Sequence, residues 1–533
     1  MWKVTIRNPV AELYTTSGNV QKISHFLRSS SNNITVRPLP THEASASNTD
    51  STADSELVSS VSRHRSVYRS KLGPVDLLST SVKPLVDALN PAINMSRVAL
   101  GLCRNPPGWV RRIPYWKNIT ALPPATTVCE DEHGSVQNTS YFADALSLQD
   151  STLSFSDVSQ NVYTVLNSVL RRLAEGRTHV SADLSGGVDS TVISVLLAAQ
   201  NIPFTAFHAG TDDKDNRDTQ LAQKIAEHFT IDLIKLDSFT KSTAGFTIPD
   251  ELRGFSEAPR AWHANLPHLT ALVRSARERG SSIHCLGIGG DELFEPMPVQ
   301  ALLYFKQGEK MRAIKAISSV AAAARWRELQ RRLTRRGQNI PENIDAFSWF
   351  PNFTLPSWLS EEATEQVIEL MRATPIPPEE EELDKYRFHI YGSLEFQGEV
   401  LRGMNEYFSE TGLEFAAPYL EDDMIRSSLM YPGVLSGHGM SKPVILEAMK
   451  GTLPEFFYRD IYKSDYSFDL YQDYERSKEN FLKMIGDSLL AELNLVDIDT
   501  VRTIANSPLG SSETLYDFER MTHMEVWLRE NYV

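Results

Sequence analysis

Residues 179–200 read HVSADLSGGVDSTVISVLLAAQ. A strand-like run, HVSADL, leads into the turn SGGVDS, and an apolar run of helical length follows. The turn is Ser185, Gly186, Gly187, Val188, Asp189 and Ser190, with Leu184 before it. Two residues without a Cβ allow a tight turn and let backbone N–H groups approach an anion. The N-terminus of the following helix adds partial positive charge. Ser185, Ser190 and Thr191 offer hydroxyl donors. Asp189 would repel a bare phosphate, so its place here makes sense if it carries Mg²⁺ that the phosphates share. No lysine closes the turn, which excludes a Walker A loop, and the three spaced glycines of a dinucleotide fingerprint are not there.

The flanking sequence repeats one pattern. SDVSQNVYTVLNSVLRRLAEG spaces apolar residues three and four apart and ends at Gly176, which predicts a helix. After the opening stretch come a strand (IPFTAFHAG), a helix (NRDTQLAQKIAEHF), a strand (IDLIKLD), a helix (HANLPHLTALVRSARERG) and a strand running into a turn (SSIHCLGIGGDELF). Alternating strands and helices predict a parallel sheet with crossover helices in an α/β fold. Ligands of such sheets bind at the C-terminal strand ends, near a reversal of strand order. Beyond Phe294 the pattern turns helical, with helices expected in 384–409 and 441–449 and a proline turn with an acidic cap at PIPPEEEELDKY. A basic segment at 310–336 suits a solvated helical face better than a partner surface.

A second turn resembles the first. LGIGGDELF places Gly287, Ile288, Gly289, Gly290, Asp291 and Glu292 after an apolar strand. In a parallel sheet Asp189 and Asp291 emerge at the same edge. Two carboxylates there can share Mg²⁺ on a triphosphate.

Together SGGVDS and GIGGDELF resemble the synthetase domain shared by class B asparagine synthetases, β-lactam synthetases and the macrolactam synthetases (cyclases) of lasso peptide pathways. The first motif matches almost letter for letter. The resemblance covers roughly 155–470 and more weakly 110–150. It implies an adenine nucleotide α-hydrolase-like ATP pyrophosphatase that adenylates a carboxylate, releases pyrophosphate and lets an amine attack the acyl-adenylate. ATP and Mg²⁺ are the implied cofactors. Leu184, Ser185, Gly186, Gly187, Asp189, Ser190, Gly289 and Gly290 would hold the nucleotide, and Asp189 and Asp291 the metal. TGLEFAAPYLEDDMI is similar to a further family segment, with Ala416 where the family has arginine. SKPVILEAMKGTLPEFFYRDIYKSDYS is similar to the family's late helix and lysine stretch. There Lys463 is the nearest counterpart of the catalytic lysine, and Lys442 is the fallback.

Residues 1–150 read as β-rich and resemble a shortened, degenerate N-terminal-nucleophile (Ntn) glutaminase domain, with 151–533 as the synthetase domain. The Ser- and Asp-rich stretch THEASASNTDSTADSELVSSVSR reads as a mobile insertion. Glutaminase chemistry in that family needs an N-terminal cysteine, and this sequence starts Met1-Trp2. In β-lactam synthetases a tyrosine, and in asparagine synthetases a glutamate, stands at the place of Ile288. Isoleucine transfers no proton, so the nucleophile must be easy to deprotonate or another group must help. A peptide α-amine, with a pKa of about 7.7 to 8.0, fits that need. The expected activity is therefore macrolactam closure in lasso peptide biosynthesis: an Asp or Glu side chain of a linear core peptide is adenylated and its N-terminal amine attacks. A leader peptidase and a precursor-recognition protein are further partners left open. The alternatives are an ammonia- or small-amine-dependent amide synthetase and, more remotely, a tRNA sulfur-transfer enzyme.

Composition excludes other classes. The formal net charge of −15 argues against a nucleic-acid partner. Cys103, Cys129 and Cys285 lie too far apart in sequence for a disulfide framework or a metal cluster. No eighteen-residue apolar run exists, so a cytoplasmic enzyme without membrane contact is expected. Glu406 and Glu414 are candidate proton acceptors, and SEAPRAW (256–262) is expected to line the mouth of the pocket.

Overall fold

The computed structural model describes residues 2–7, 10–15, 34–38, 57–72, 75–130, 136–146, 152–210, 216–236, 244–249, 251–252, 255–295, 308, 310–311, 353–430, 442–461, 467–507 and 512–532. The N-terminal strands are β1 (Trp2–Arg7), β2 (Val10–Thr15), β3 (Ile34–Pro38), β4 (Leu57–Ser59), β5 (Tyr68–Leu72), β6 (Val75–Ser79), β7 (Thr120–Ala121), β8 (Thr126–Glu130) and β9 (Val136–Ser140). They build two antiparallel sheets, one ordered β3-β1-β2-β6-β5-β7 and one β4-β8-β9.

The region is β-rich as expected; one reading of it needs correction and one an addition. The stretch expected to be a mobile insertion ends in β4, and Ser59, Ser60 and Val61 are fully buried. Small hydroxyl side chains can be buried once they are bonded: Ser62 Oγ donates to the Leu420 carbonyl at 2.9 Å. Residues 41–56 lie outside the described residues. The region is also not β alone. Three short helices interrupt it: α1 (Lys83–Leu89), α2 (Met95–Gly101) and α3 (Gly108–Arg111). Pro84 sits in the first turn of α1, and the Asn94 side chain caps α2 by accepting from Arg97 N.

Next comes α4 (Phe155–Ala174), which starts at a capping box between Ser154 and Asp157. Val158, Val162, Leu166 and Val169 form its buried stripe. The parallel sheet follows, with β10 (Val180–Asp183), α5 (Val188–Ala199), β11 (Phe204–Ala209), α6 (Asp218–Phe229), β12 (Asp232–Leu236), α7 (Leu266–Glu278), β13 (Ile283–Cys285) and α8 (Gly290–Phe294). A long helix, α9 (Lys385–Tyr407), leads to β14 (Glu414–Ala416), α10 (Asp422–Leu429), α11 (Pro443–Ala448) and the last helix, α12 (Ser512–Asn531). The five strands run parallel in the order β12-β11-β10-β13-β14. The chain moves outward from β10 to β12 and then returns to the other side at β13. The order therefore reverses between β10 and β13, where an open α/β sheet leaves a crevice. Most of the basic 310–336 segment lies outside the described residues.

The N-terminal part packs into the same apolar core as the helices. Trp116 lies 5.7 Å, ring to ring, from Trp527 on α12, and Phe142 lies 5.1 Å from Tyr391 on α9. Among the described residues, no helix is long and apolar enough to cross a membrane.

Candidate active site

Both glycine turns sit at the crevice, one after β10 and one after β13. Gly186 has φ +95°, and a Cβ there would lie 2.9 Å from the Asp218 Cα at the start of α6. Glycine is required at this position on both counts. Ser185 and Ser190 close the turn on each other, with their hydroxyl oxygens 2.8 Å apart and Ser185 N donating to Ser190 Oγ at 3.0 Å. Gly187 caps α5 without a side chain, which leaves the first turn of the helix facing the crevice. From behind, His208 Nδ1 donates to the Leu184 carbonyl at 2.9 Å, and its Nε2 accepts from Thr219 Oγ1 at 2.8 Å. Burial holds this imidazole below its ordinary pKa, which suits the neutral tautomer that arrangement needs.

The second turn presses against the first. A Cβ on Gly287 would lie 3.1 Å from Asp189 Cβ, and one on Gly290 would lie 2.8 Å from Asp189 Oδ2 and nearer still to its other carboxylate atoms. Gly289 adopts φ +95° and backs onto Tyr419 and Leu420. Tyr419, fully buried, donates to the Asp189 carbonyl at 3.1 Å. Thus the segment after β14 braces both turns. Tyr419→Phe removes one neutral hydrogen bond of about 1 kcal/mol. A drop in nucleotide affinity of a few-fold, with the melting temperature nearly unchanged, is the expected result in a binding titration.

Asp189 and Asp291 converge on one ammonium. Lys442 Nζ pairs with Asp189 Oδ2 and lies 2.6 Å from Asp291 Oδ1. Lys442 is positioned by a left-handed backbone (φ +51°) just before Pro443, which opens α11. Burial pushes the Asp189 carboxyl up to about 6; Lys442 pulls it down, and Asp291 adds to the rise. Burial works against the Lys442 charge, but the two carboxylates outweigh it and hold its pKa above the ordinary value. Asp189 Oδ1 is buried and has no hydrogen-bond partner. A buried orphan oxygen beside a second carboxylate is a donor set that fits a divalent cation. Among the described residues no group of three His, Cys, Asp or Glu is placed to hold a metal by itself. Phosphate oxygens and water would complete the shell.

Lys463 lies outside the described residues, so the nearest described cation to both acids is Lys442. Ile288 is half-buried. Glu414 opens β14 at the far edge of the sheet and pairs with Arg177 at 2.8 Å, away from the crevice. Glu406 instead lines a cavity of about 840 Å³ that also reaches Glu292, next to Asp291. Residues 256–262 form part of its wall, as do segments of 97–115, α9 and α12. Gln397 Nε2 donates to Glu292 Oε1 at 2.7 Å. Sequence reasoning missed the walls from 97–115 and α12, which lie hundreds of residues apart. The one signal for them was a pair of glycines, Gly392 and Gly403, on the face of α9 that opens onto the cavity.

Solved structures similar to this chain include two of low overall likeness. NMN synthetase from Francisella tularensis is 20% identical over 25% of this chain and 54% of its own, with a TM-score of 0.19. The match thus spans about half of that protein. The U34-tRNA thiolase NcsA from Methanococcus maripaludis, with its [4Fe-4S] cluster, is 14% identical over 47% of this chain and 74% of its own, with a TM-score of 0.20. Scores this low carry no argument about function. No curated protein matches. The family model for asparagine synthase matches residues 163–529, well over half of the chain and including both glycine turns, α9 and α11. The chain belongs to the asparagine synthase family.

Proposed function

We propose that this protein is an ATP-dependent amide synthetase that activates a carboxylate as an acyl-adenylate and passes it to an amine. Membership of the asparagine synthase family supports ATP-driven amide formation in general. The observation that carries the reading is the convergence of Asp189, Asp291 and Lys442 between two glycine turns at the reversal of strand order. A substrate carboxylate oxygen would attack the α-phosphorus, and the bond to pyrophosphate would break. The amine nitrogen would then bond to the acyl carbon, AMP would leave, and the nitrogen would lose a proton. The 185–190 turn would hold the departing pyrophosphate through backbone N–H groups. Mg²⁺ held by Asp189 and Asp291 would neutralise phosphate charge when bound. Lys442 would add positive charge on the same side.

The cavity sets the scale of the substrate. At about 840 Å³ it falls among small-molecule sites rather than among surfaces that cradle a folded peptide of fifteen or more residues. A small amine or a short peptide amine is therefore the leading acceptor. Lasso macrolactam closure is the second reading, favoured by Ile288, which offers no proton-transfer group to a poorly acidic nucleophile. The N-terminal part, in either case, would lend its 97–115 segment to a wall of the acceptor cavity, and a glutaminase ancestry for its sheets is part of the proposal. Sulfur transfer is disfavoured. Cys103 and Cys285 are buried, and burial pushes both thiols up to about 12, far from the thiolate such chemistry uses.

ATP–pyrophosphate exchange with a panel of free amino acids, β-amino acids and linear acidic peptides tests the function. Exchange that depends on one carboxylate, with hydroxamate forming on adding hydroxylamine, is expected. Loss of one water from a linear peptide in the product mass would select the macrolactam reading; an amide to a separate amine would select the first. ATP hydrolysis to ADP without exchange would refute both.

A further inference from the structure

Between β4 and β5 the chain makes a tight turn, Ser60–Arg65. Ser60 N donates to the Arg65 carbonyl and Arg63 N to the Ser60 carbonyl, each at 3.0 Å. Arg63 takes a left-handed backbone (φ +57°), and Ser60, Val61 and Ser62 are fully buried. What buries them lies 339 to 361 residues further along the chain. Gly398 on α9 leaves room for the turn: a Cβ there would collide with the Ser62 carbonyl oxygen, a backbone atom that cannot swing aside. One turn along α9, Arg402 donates to the Arg63 carbonyl, while Glu257 holds its guanidinium at 2.6 Å.

The other contacts of the turn fall on residues 420–422. Ser62 Oγ donates to the Leu420 carbonyl at 2.9 Å, and His64 Nε2 lies 3.5 Å from Glu421 Oε1. Asp422, which opens α10, turns both carboxylate oxygens to the N-terminal part. Its Oδ1 accepts from Val61 N at 2.9 Å and its Oδ2 from the Tyr141 hydroxyl at 2.8 Å. Burial, with the Asp422 charge beside it, holds the Tyr141 phenol above its ordinary pKa, so it remains a donor. Bonds to an ionised acceptor are stronger than those between neutral groups. An acid at this place also suits the N-terminus of α10, and an interface of this kind can serve cohesion alone. Its position argues for more. Asp422 stands two residues past Leu420 and three past Tyr419, the pair that backs Gly289 and, through Tyr419, bonds the Asp189 carbonyl. Pro418–Leu420 is a single fully buried 3₁₀ turn, so little slack separates the two sets of contacts.

We infer that the N-terminal part is a positioning element for the nucleotide site and that Asp422 is the residue through which it acts. The 60–65 turn and Tyr141 fix Asp422, Asp422 fixes the 418–421 segment, and that segment fixes both glycine turns. This rests on the function proposed above and gives the N-terminal part a task that needs no glutaminase chemistry. Asp422 acts through Tyr419 and Leu420, as a positioning residue.

Calorimetric titration of the full chain with α,β-methylene-ATP and Mg²⁺, well below each variant's melting temperature, is the test. Asp422→Ala is expected to weaken the nucleotide by about ten-fold. Asp422→Asn keeps an acceptor for Val61 N–H and should lose less. Ser70→Ala removes a buried hydroxyl that donates to the Asn118 carbonyl at 2.6 Å inside the N-terminal part. It should lower the melting temperature and leave the affinity unchanged, which a merely cohesive role for Asp422 would not distinguish. Asp422→Asn combined with Tyr419→Phe should cost less than the product of the two single losses, because both act through one brace. If Asp422→Ala does not fold, the milder Tyr141→Phe should weaken the nucleotide by about three-fold. Wild-type affinity in the folded Asp422→Ala or, in its place, Tyr141→Phe would overturn the inference. So would a loss in Ser70→Ala as large as in Asp422→Asn. Nucleotide binding that depends on Asp422 without any pyrophosphate exchange would remove the synthetase function and leave the positioning role. Intact exchange with an affinity indifferent to Asp422 would remove the positioning role alone.

Discussion

Gly290→Ala is expected to cut ATP–pyrophosphate exchange by about 100-fold or more while the protein stays folded, an effect the size of removing one preorganised group that faces transition-state charge. The new methyl group would fall within 2.8 Å of Asp189 Oδ2, too close for a non-bonded contact, and closer still to the rest of that carboxylate. Something must shift, and the carboxylate is the movable part, since Gly290 opens α8 and is itself buried. Swinging Asp189 away would break its pair with Lys442 and dissolve the shared cation site. Gly280→Ala is the control: Gly280 also carries a positive φ but has nothing within 4 Å of a new Cβ. Exchange at the wild-type rate is expected there, with a small loss of stability from backbone strain. Circular dichroism and the melting temperature separate loss of fold from loss of chemistry.

The second large effect is at Lys442. Replacing it with alanine strands Asp189, buried and already lacking a partner at Oδ1, beside a second acid. Removing one member of a buried pair costs about 3 kcal/mol or more, because the other charge stays behind. Asp291 is 57% exposed on its side chain and contributes little of this. The melting temperature should fall by several degrees, and exchange should drop by about 100-fold or more from lost charge on the phosphate side. Raising Mg²⁺ should recover part of the stability, because a divalent ion can pair with the same two carboxylates. Lys442→Arg restores charge but not the compact geometry between two acids, so recovery of exchange should be partial. Full activity in Lys442→Ala would move the catalytic cation elsewhere on the chain, with Lys463 the first place to look.

The parallel sheet was legible because its elements are long enough to show a period. The helices α4, α6 and α7 carry apolar residues three and four apart, and the strands between them are apolar runs bounded by turns. The fifth strand, β14, is three residues long, no shorter than β13, but it lacks the glycine turn that marks the end of β13. The small helices α1 to α3 hid for a similar reason: they have seven, seven and four residues, and the prolines that begin α1 and α3 also read as turns. The burial of Ser60 and Ser62 was illegible because composition counts a serine as polar, whereas a bonded hydroxyl can enter a core.

At the site, the two acids were readable because each follows a glycine turn at a strand end. That one lysine would bridge them was not, since Lys442 arrives from more than 150 residues beyond Asp291 and depends on a left-handed backbone before Pro443. The acceptor cavity was the least legible part. Its walls come from segments as far apart as 97–115, 256–262, α9 and α12, and a sequence does not show that they meet.

Calorimetric titration of a non-hydrolysable ATP analogue, α,β-methylene-ATP, in the presence of Mg²⁺ tests most directly whether the two turns form a nucleotide site. Wild-type protein is expected to bind one equivalent, with binding lost in Gly186→Ala, where a Cβ would collide with Asp218, and in Gly290→Ala, where it would displace Asp189. Unchanged affinity in both folded variants would place the nucleotide away from the β10 and β13 strand ends and contradict the site.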